Sequence, residues 1–285
     1  MSPSQPAFRF DLRPMTQDDC PAGLALSRSV GWPHRLEDWR FALSVGAGLV
    51  AIADGRMVGA AMWWIYEGQA RLGMVIVDPT IQRAGIGRAL MQGALDRIGA
   101  PSVVLNATEA GETLYRQLGF ASVGAIVQHQ GMSSSTPPAA LRAGERIRPL
   151  GRDDGTRLVE IDALATGARR AAVISALIAH GDAVLLDDGG ETIGFAFCRR
   201  SGRGHVVGPV VARDAEAAKA LIAHWIGLNA GMFVRVDVTA QSELSDWLGD
   251  LGLARVSSVL TMVKGEPLAT PAGFHLFAVA NQALG

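Results

Sequence analysis

The sequence predicts a mixed α/β protein, in which a β-sheet with helices packed on it is built twice along the chain. The first observation is a hairpin signal in each half, where apolar β-rich runs flank Asp54-Gly55 and later Asp188-Gly189. The second is the order that follows each hairpin, which alternates strand, helix, strand, helix and strand. The third is the segment 133–140, whose serines and Pro-Pro pair favour neither a helix nor a central strand.

The elements are predicted in the same order in both halves. In the first half they are helical stretches at 20–29 and 36–45, a hairpin at 49–62, a strand at 70–77, a helix at 86–99, a strand at 103–106, a second helix and a last strand after 118–120. In the second half they are helical stretches at 152–164 and 170–178, a hairpin at 183–196, a strand at 205–212, a helix at 215–228, a strand at 234–237, a second helix and a last strand after 251–253. We therefore predict domains at 1–132 and 146–285, joined by a linker at 133–145.

Composition narrows the function classes. The chain has 285 residues with 26 basic and 27 acidic side chains, which lacks the basic excess of a nucleic-acid-binding protein. The two cysteines, Cys20 and Cys198, match no metal-ligand or redox spacing, so we expect a reduced compartment and no metal. No secretory signal opens the sequence, and apolar stretches such as 57–66 are too short to span a bilayer. We expect a soluble, cytoplasmic monomer or homodimer without nucleic-acid or membrane partners.

The sharpest chemical signal is the glycine-containing loop between a strand that ends near Pro79 and the helix predicted at 86–99. Backbone N–H groups at a helix N-terminus lack intrahelical partners and attract anions, and glycines allow a diphosphate to approach closely. The Gly-Lys-Ser/Thr of a Walker loop is absent, and Leu90 stands where a dinucleotide-binding fingerprint needs its third glycine. The loop alone therefore predicts a diphosphate site of another kind, or a helix start whose glycines serve close packing.

Two motifs in this region resemble those of a known superfamily. The stretch Val77-Asp-Pro-x-x-Gln-Arg-x-Gly-Ile-Gly-x-x-Leu90 resembles the acetyl-CoA-binding motif of the GCN5-related N-acetyltransferase (GNAT) superfamily. The segment 106–120, with its Leu-Tyr-x-x-x-Gly-Phe ending, resembles that superfamily's downstream signature. The resemblance covers about residues 8–131. It implies the acyl-CoA N-acyltransferase fold, here in tandem, and acetyl-CoA as the co-substrate.

The resemblance also implies roles for individual residues. The backbone of Val75, Ile76 and Val77 would bind the pantetheine arm, because the neighbouring strand splays away in this fold. The loop residues expected to hold the cofactor are Gln82, Arg83, Ala84, Gly85, Ile86, Gly87 and Arg88. Thr108 occupies a position where many relatives place a cofactor-binding asparagine. Tyr115 stands where the superfamily places its general acid; alternatively, its ring packs against its helix and only orders the thiol end of the cofactor.

The general base and the acceptor pocket are less well defined by the sequence. Many relatives carry a glutamate on the strand before the loop, but residues 71–77 contain no carboxylate. The candidates for the base are Glu67, Glu109, His34, His129 and water. Trp32 lies between the first helices, where the superfamily shapes its acceptor pocket, although it could equally be a core residue.

The second half retains the predicted order of elements without the functional residues of the first. Alignment of Leu90 with Leu221 puts Glu216 and Ala218 at the positions of Gly85 and Gly87, and Leu248 at that of Tyr115. A glutamate repels a diphosphate, and a Cβ blocks its approach. The second half resembles the degenerate C-terminal domain of some two-domain bacterial acetyltransferases, and we expect it to cover the acceptor side of the cleft. Asp162, with Arg169 or Arg170, could hold a charged substrate or form a surface ion pair.

The sequence therefore predicts direct acetyl transfer in a ternary complex. The acceptor would be a primary amine of a small metabolite or an amino-acid-like molecule. Two other functions stay open at this point: a non-enzymatic acetyl-CoA sensor or regulatory module, and a scaffold that binds no cofactor.

Overall fold

The computed structural model describes residues 8–81, 83–134 and 140–285. Within this part the chain forms two compact units. The first contains the residues up to Ile65 together with Leu72–Gly99, and the second contains Tyr66–Arg71 and Ala100–Gly285. The units therefore divide the chain differently from the two sequence halves. The division at 133–145 into a catalytic and a degenerate half stays a proposal about function, and residues 135–139 of that segment lie outside the described residues.

The first unit combines an antiparallel sheet with three helices. The strands are β1 Asp11–Pro14, β2 Ala47–Ala53, β3 Arg56–Tyr66 and β4 Gln69–Val77, and the helices are α1 Cys20–Ser29, α2 Leu36–Ser44 and α3 Ile86–Ile98. The sheet order is β1-β2-β3-β4, and the last residue of β3 and the first three of β4 already belong to the second unit. Asp54 and Gly55 both have positive φ angles, of 48° and 74°, as the two-residue hairpin turn predicted from the sequence requires.

Helix α3 lies close to the sheet because a glycine faces it. Its buried residues Ile86 and Leu90 point toward β3 at Gly59, where an added Cβ would stand 3.1 Å and 3.0 Å from their methyl carbons. Contacts that short are tighter than van der Waals packing allows. Gly59 therefore sets how near the start of α3 can come to the strand, and with it the position of the loop that precedes the helix.

The second unit is a mixed sheet with five helices. Its strands are β5 Val103–Ala107, β6 Ala121–Met132, β7 Glu145–Pro149, β8 Asp182–Asp188, β9 Glu191–Ser201, β10 Gly204–Ala212, β11 Phe233–Thr239, β12 Ala254–Lys264 and β13 His275–Ala278. Its helices are α4 Glu109–Gln117, α5 Asp154–Thr166, α6 Ala171–His180, α7 Ala215–Leu228 and α8 Ser245–Asp250. The strands follow the order β5-β12-β6-β11-β13-β10-β9-β8-β7. The predicted mixed α/β architecture is confirmed.

The two sequence halves exchange their last strands within this sheet. β12, from the second half, pairs antiparallel with β5 and with β6 of the first half, for example at Met262↔Leu105 and Val259↔Ile126. β6 in turn pairs antiparallel with β11 of the second half along seven residue pairs that include Val236↔His129. Each last strand therefore satisfies its backbone hydrogen bonds in the sheet of the other half. The sequence pattern gave no sign of this exchange.

A large apolar core lies between the sheet and α7. Leu221, Ile222, Trp225 and Ile226 of α7 are buried against residues of β8 to β11, and Leu253 at the start of β12 joins the same cluster. The indole nitrogen of Trp225 donates to the Ala196 carbonyl at 3.2 Å. The four predicted helices α5 to α8 thus form where apolar residues recur at helical spacing.

Three short strands were not predicted from the sequence. β1 and β7 are polar strands of four and five residues, each with a proline, and they form the outer ends of the strand order. Edge strands tolerate proline and polar residues because one side needs no partner, so their apolar pattern is weak. β13 is four residues long and falls below the length at which alternation is visible. Among the helices of the described residues, none is long and apolar enough to cross a lipid bilayer.

We predict that residues 1–132, produced alone, do not unfold cooperatively. Without β12, both β5 and β6 lose a strand partner and expose unpaired backbone groups, for which the fragment has no substitute. Circular dichroism during thermal unfolding measures this, with the full chain as the control, for which we expect a cooperative transition. A fragment with a sharp transition within a few degrees of that of the full chain would contradict the structural role of the exchange.

Candidate functional site

The loop before α3 has the backbone geometry of an anion cradle. Arg83 and Gly85 adopt left-handed conformations, with φ angles of 67° and 82°, and Gly85 is the N-cap of the helix. The first helical hydrogen bond runs from the Ala89 N–H to the Gly85 carbonyl at 3.0 Å, so the N–H groups before it have no partner in the helix. Apart from its chain neighbours and its own helix, no atom of the described residues lies within 4 Å of the position that a Gly85 Cβ would occupy. The described residues therefore leave space beside the helix start.

The side chains of this loop divide into one anchor and several accessible groups. Ile86 is buried under the sheet, Ala84 and Gly87 are half-buried, and Arg83 and Arg88 are exposed. Gln82 lies outside the described residues. Before the loop, the Asp78 carboxylate accepts from the backbone N–H and the hydroxyl of Thr80, at 3.0 Å and 2.7 Å. These two hydrogen bonds lower the pKa of Asp78 and fix the turn that leaves the strand.

The end of β4 contains an irregularity just before the residues assigned to the pantetheine arm. Met74 has a φ angle of 49°, in the left-handed region that residues other than glycine rarely adopt. Such a residue turns the following peptide groups out of the regular ladder direction. Ile76 is buried, whereas Val75 and Val77 are half-buried. The β4–β5 ladder consists of Ala70↔Val103 and Arg71↔Val104.

The corresponding helix start in the second half is already occupied by a side chain. Asp214 is the N-cap of α7, and its carboxylate accepts from the Ala217 N–H at 2.8 Å. The same carboxylate forms an ion pair with Arg142 at 2.8 Å. A resident anion therefore stands where a diphosphate would bind, and Glu216 adds a further negative charge in the first turn. Among the described residues, no side chain caps the helix start at Gly85.

Tyr115 is a buried phenol on α4. Its ring lies across Gly111, where an added Cβ would stand 2.6 Å from a ring carbon, and it meets Phe120 edge-on at 6.2 Å between centroids. Burial raises the pKa of Tyr115 to about 12, so the phenol stays protonated at neutral pH. No hydrogen-bond partner of its hydroxyl is found among the described residues. Thr108, at the N-cap of the same helix, is exposed and its side chain makes no capping hydrogen bond.

Asp162 and Arg170 form a buried, two-pronged ion pair instead of a surface one. The Arg170 Nε and Nη2 atoms donate to the two carboxylate oxygens of Asp162 at 2.8 Å and 2.6 Å. The side chains are only 0% and 2% exposed, for Asp162 and Arg170 respectively. Arg170 Nη1 also donates to the Leu284 carbonyl at 3.2 Å, which the Tyr66 hydroxyl reaches at 3.1 Å. The pair thereby helps to fasten the turn at residues 281–285.

A polar cavity of about 170 Å³ opens beside this ion pair. It is lined by Tyr66, Gln69, Arg71, Ala165, Thr166, Arg170, Leu276 and Gly285. The Arg71 Nε atom donates to the Ala283 carbonyl at 3.3 Å. Sequence reasoning did not single out Arg71 and Tyr66, which line this cavity. The available signal was a lone arginine within a strand whose alternate residues are apolar, combined with one of only two tyrosines in the chain.

The other predicted site residues lie in separate clusters. His34 and Trp32 are half-buried, with their rings edge-on at 5.6 Å, and His34 Nδ1 lies 2.9 Å from the Ser27 hydroxyl. His129 is buried, and its two ring nitrogens contact the Leu253 carbonyl at 2.9 Å and the Ser245 hydroxyl at 2.8 Å. The two glutamates weighed as bases, Glu67 and Glu109, are exposed. The roles of all five residues as base or acceptor ligand stay predictions.

Comparison with protein families assigns both parts of the chain to one kind of domain. Residues 37–135 match one profile described as an acetyltransferase (GNAT) domain, and residues 158–278 match a second profile of the same description. Together the two matches cover most of the chain. An uncharacterized N-acetyltransferase of Bacillus subtilis, YitH, is 24% identical over 238 residues, which span 81% of this chain and 82% of that protein.

Solved structures share the fold over almost the whole length. A candidate acetyltransferase from Pyrococcus horikoshii superposes with a TM-score of 0.81 at 22% identity, and covers 99% of this chain and 98% of that one. A tandem GNAT protein from the clavulanic acid biosynthesis pathway superposes with a TM-score of 0.62 at 14% identity, over 90% and 98% of the two chains. The predicted tandem architecture is therefore confirmed, including the GNAT fold of the second half.

We predict that Asp162→Ala lowers the free energy of unfolding by about 3–5 kcal/mol, because it leaves the Arg170 charge buried without a partner. Glu160→Ala on the same helix is the matched control. It removes an exposed ion pair with Arg157 and should change stability by less than about 1 kcal/mol. The double variant Asp162→Leu/Arg170→Met should recover most of the loss. Urea unfolding measures all three, and equal losses for the two alanine variants would contradict the buried-pair assignment.

Proposed function

Because the chain belongs to the GNAT acetyltransferase superfamily and carries two such domains in tandem, we propose that it acetylates the primary amine of a small metabolite or amino-acid-like acceptor. Acetyl-CoA is the co-substrate that this fold implies. The observation that carries the proposal is the open helix start at Gly85. In this proposal the loop 82–88 holds the pyrophosphate and the backbone of Val75, Ile76 and Val77 holds the pantetheine arm.

The contrast between the two helix starts supports a single working cofactor site. At Gly85 the N–H groups that lack an intrahelical partner, the positive end of the helix dipole and the two exposed arginines can all act on a diphosphate. At Asp214 an internal carboxylate has taken the same role. The first half would therefore bind acetyl-CoA, and the second half would contribute structure and acceptor contacts.

Tyr115 is proposed to hydrogen-bond the departing sulfur. As the neutral amine attacks, a nitrogen–carbon bond forms and the carbonyl–sulfur bond of the thioester breaks. The electron pair leaves with sulfur as a thiolate, and the proton that the nitrogen loses passes to water. A phenol with a pKa of about 12 remains protonated and can donate, but it cannot serve as the base that deprotonates the amine. Its unpaired hydroxyl fits this role, because a hydroxyl bonded to protein would have to break that bond first.

Direct transfer to the amine is favoured by the state of the cysteines. Cys20 and Cys198 are both buried. Burial raises the pKa of both thiols, that of Cys198 to about 12, so neither is a ready thiolate nucleophile at neutral pH. An acetyl-cysteine intermediate would need such a thiolate. A ternary complex of protein, acetyl-CoA and amine avoids this step.

We predict that Gly85→Ala weakens acetyl-CoA binding at least tenfold. A Cβ at this position projects into the space in front of the helix start and holds the diphosphate away from the N–H groups. Gly99→Ala is a closely matched control, because Gly99 caps the other end of α3 with a φ angle of 62° and also has no atom within 4 Å of its Cβ position. Both variants should lower the melting temperature equally. If calorimetric titration gave the two variants the same affinity for acetyl-CoA, the proposed pyrophosphate site at Gly85 would be wrong.

The reaction itself is tested by thiol release from acetyl-CoA across a panel of primary amines, with the acetylated product identified by mass. We predict that Tyr115→Phe lowers kcat about 100-fold or more, with less than a threefold change in KM for acetyl-CoA. The phenylalanine ring keeps the contacts with Gly111 and Phe120, so the melting temperature should change little.

A lower melting temperature with unchanged kcat would assign Tyr115 to packing. Absence of turnover by the wild type with every amine, despite tight acetyl-CoA binding, would overturn the proposed reaction.

A further inference from the structure

Strands β4 and β10 hold the same place in the two sequence halves and share an irregularity. Alignment of residues 69–77 with 204–212 places Gly73 opposite Gly208. Directly after these glycines, Met74 has a left-handed backbone, and the register of β10 against β9 shifts. The three residues of β4 proposed for the pantetheine arm therefore correspond to the last three residues of β10, which are Val210, Val211 and Ala212.

Strand β13 pairs with the same three residues of β10. β10 and β11 run parallel and pair as far as Val207↔Val236, and in the strand order β13 lies between them. Ala278 of β13 pairs with β10 and also with Val238 of β11. The pairs with β10 are Val210↔Ala278, Val211↔Leu276 and Ala212↔His275. In the second half the chain's own backbone therefore occupies the edge of β10 that corresponds to the proposed arm site on β4.

β13 and the residues after it are packed as part of the protein interior. Phe277 and Ala278 belong to the apolar core that contains α7, and Val279 belongs to a smaller apolar cluster. The Val279 N–H donates to the Asp237 carbonyl of β11 at 2.9 Å. Removal of the segment would expose these apolar side chains and leave backbone groups of β10 and β11 unpaired. The segment is therefore firmly seated between the two strands.

A glycine of β10 makes room for the main chain of this segment. A Cβ added at Gly208 would overlap the carbonyl oxygen of Val279. Gly208 also has a φ angle of 155°, a backbone conformation that glycine adopts at no steric cost and other residues rarely adopt. The close approach of the two main chains at this point therefore depends on the missing side chain.

We propose that β13 is a resident substitute for the pantetheine arm and closes the second half to acyl-CoA. This inference rests on the proposed function, because the position of the arm on β4 is part of that proposal. β13 is joined to β12 only by residues 265–274, and so short a connection gives an effective concentration on the order of millimolar. An acyl-CoA from solution competes against a segment that is always present and already paired on both sides.

This closure is separate from the one at the start of α7. The Asp214 carboxylate acts on the diphosphate end of a CoA molecule, whereas β13 acts on the arm. Each feature is sufficient to exclude the ligand. Restoration of the helix start without displacement of β13 therefore does not create a second cofactor site.

The first test is hydrogen exchange of the full chain, measured by mass spectrometry with and without saturating acetyl-CoA. We expect peptides that cover 208–212 and 275–280 to exchange slowly in the free protein and to change less than twofold on binding. Peptides that cover 73–77 should exchange at least tenfold more slowly when acetyl-CoA is bound. Faster exchange at 275–280 on binding would show that the ligand displaces β13 and would overturn the proposal.

The second test restores the helix start of the second half in the variant Asp214→Gly/Glu216→Gln. Calorimetric titration should give one acetyl-CoA per chain for this variant and for the wild type, since β13 still occupies β10. Circular dichroism verifies that the variant is folded. Two acetyl-CoA molecules per chain would overturn the proposal, because Asp214 and Glu216 alone would then have closed the second half.

The third test loosens β13 through Gly208→Ala, which should speed exchange at 275–280 at least tenfold. Gly190→Ala is the matched control, because Gly190 also has a positive φ angle, of 92°, and no atom of the described residues beyond its chain neighbours lies within 4 Å of its Cβ position. Equal exchange at 275–280 in the two variants would overturn the seating of β13 on Gly208. If Gly208→Ala does not fold, the first two tests decide.

Failure of the proposed function has a different signature. If acetyl-CoA left exchange at 73–77 unchanged in the wild type, the proposed cofactor site of the first half would be wrong. Slow exchange at 275–280 and the absence of a second site in Asp214→Gly/Glu216→Gln would still show that β13 closes the second half.

Discussion

The exchange of β6 and β12 is the constraint on which the second unit depends. β12, from the second half, pairs with β5 and β6 of the first half, and β6, from the first half, pairs with β11 and β12 of the second half. A strand in the interior of a sheet cannot leave without exposing two rows of unpaired backbone groups. The halves are therefore linked by their main chains in addition to side-chain packing. A mutation that destabilises the strands of either half therefore also destabilises the sheet against which α4 and Tyr115 lie.

This dependence gives the second half a structural role that does not require a cofactor site of its own. Its strands complete the sheet that orders β5 and β6, whatever its helix α7 binds. Helix α7 begins with a capping aspartate where α3 begins with a glycine. This aspartate stabilises α7, because Asp214 accepts a hydrogen bond from the Ala217 N–H and pairs with Arg142. The same aspartate in the first half would be incompatible with the proposed cofactor site, because a carboxylate at the helix start would repel a diphosphate.

Local signals made most of the elements, and the glycine-containing turn before α3, predictable from the sequence. Some features depend only on residues that are close together in the sequence, so the sequence alone reveals them. These are the hairpin at Asp54-Gly55, the apolar stripe of α3 and the lack of a side chain at Gly85. The strand exchange was not predictable, because β12 has the same alternation whichever strand it pairs with. The cavity beside Arg71 could not be predicted from the sequence for a related reason. Its members come from positions 66–71, 165–170 and 276–285, which only the folded chain brings together.

The turn at 281–285 connects these features. Four donors hold its carbonyls: Asn106 Nδ2 on Gln282, Arg71 Nε on Ala283, and the Tyr66 hydroxyl and Arg170 Nη1 on Leu284. Three of the four donors come from the first sequence half, whereas the turn belongs to the second. The wall of the cavity is thus set by both halves at once, with the neutral Asp162–Arg170 pair fixing the turn. Residues 1–132 alone would keep Arg71 and Tyr66 but lack the turn whose carbonyls they hold, so this wall of the cavity, like the sheet, needs both halves of the chain.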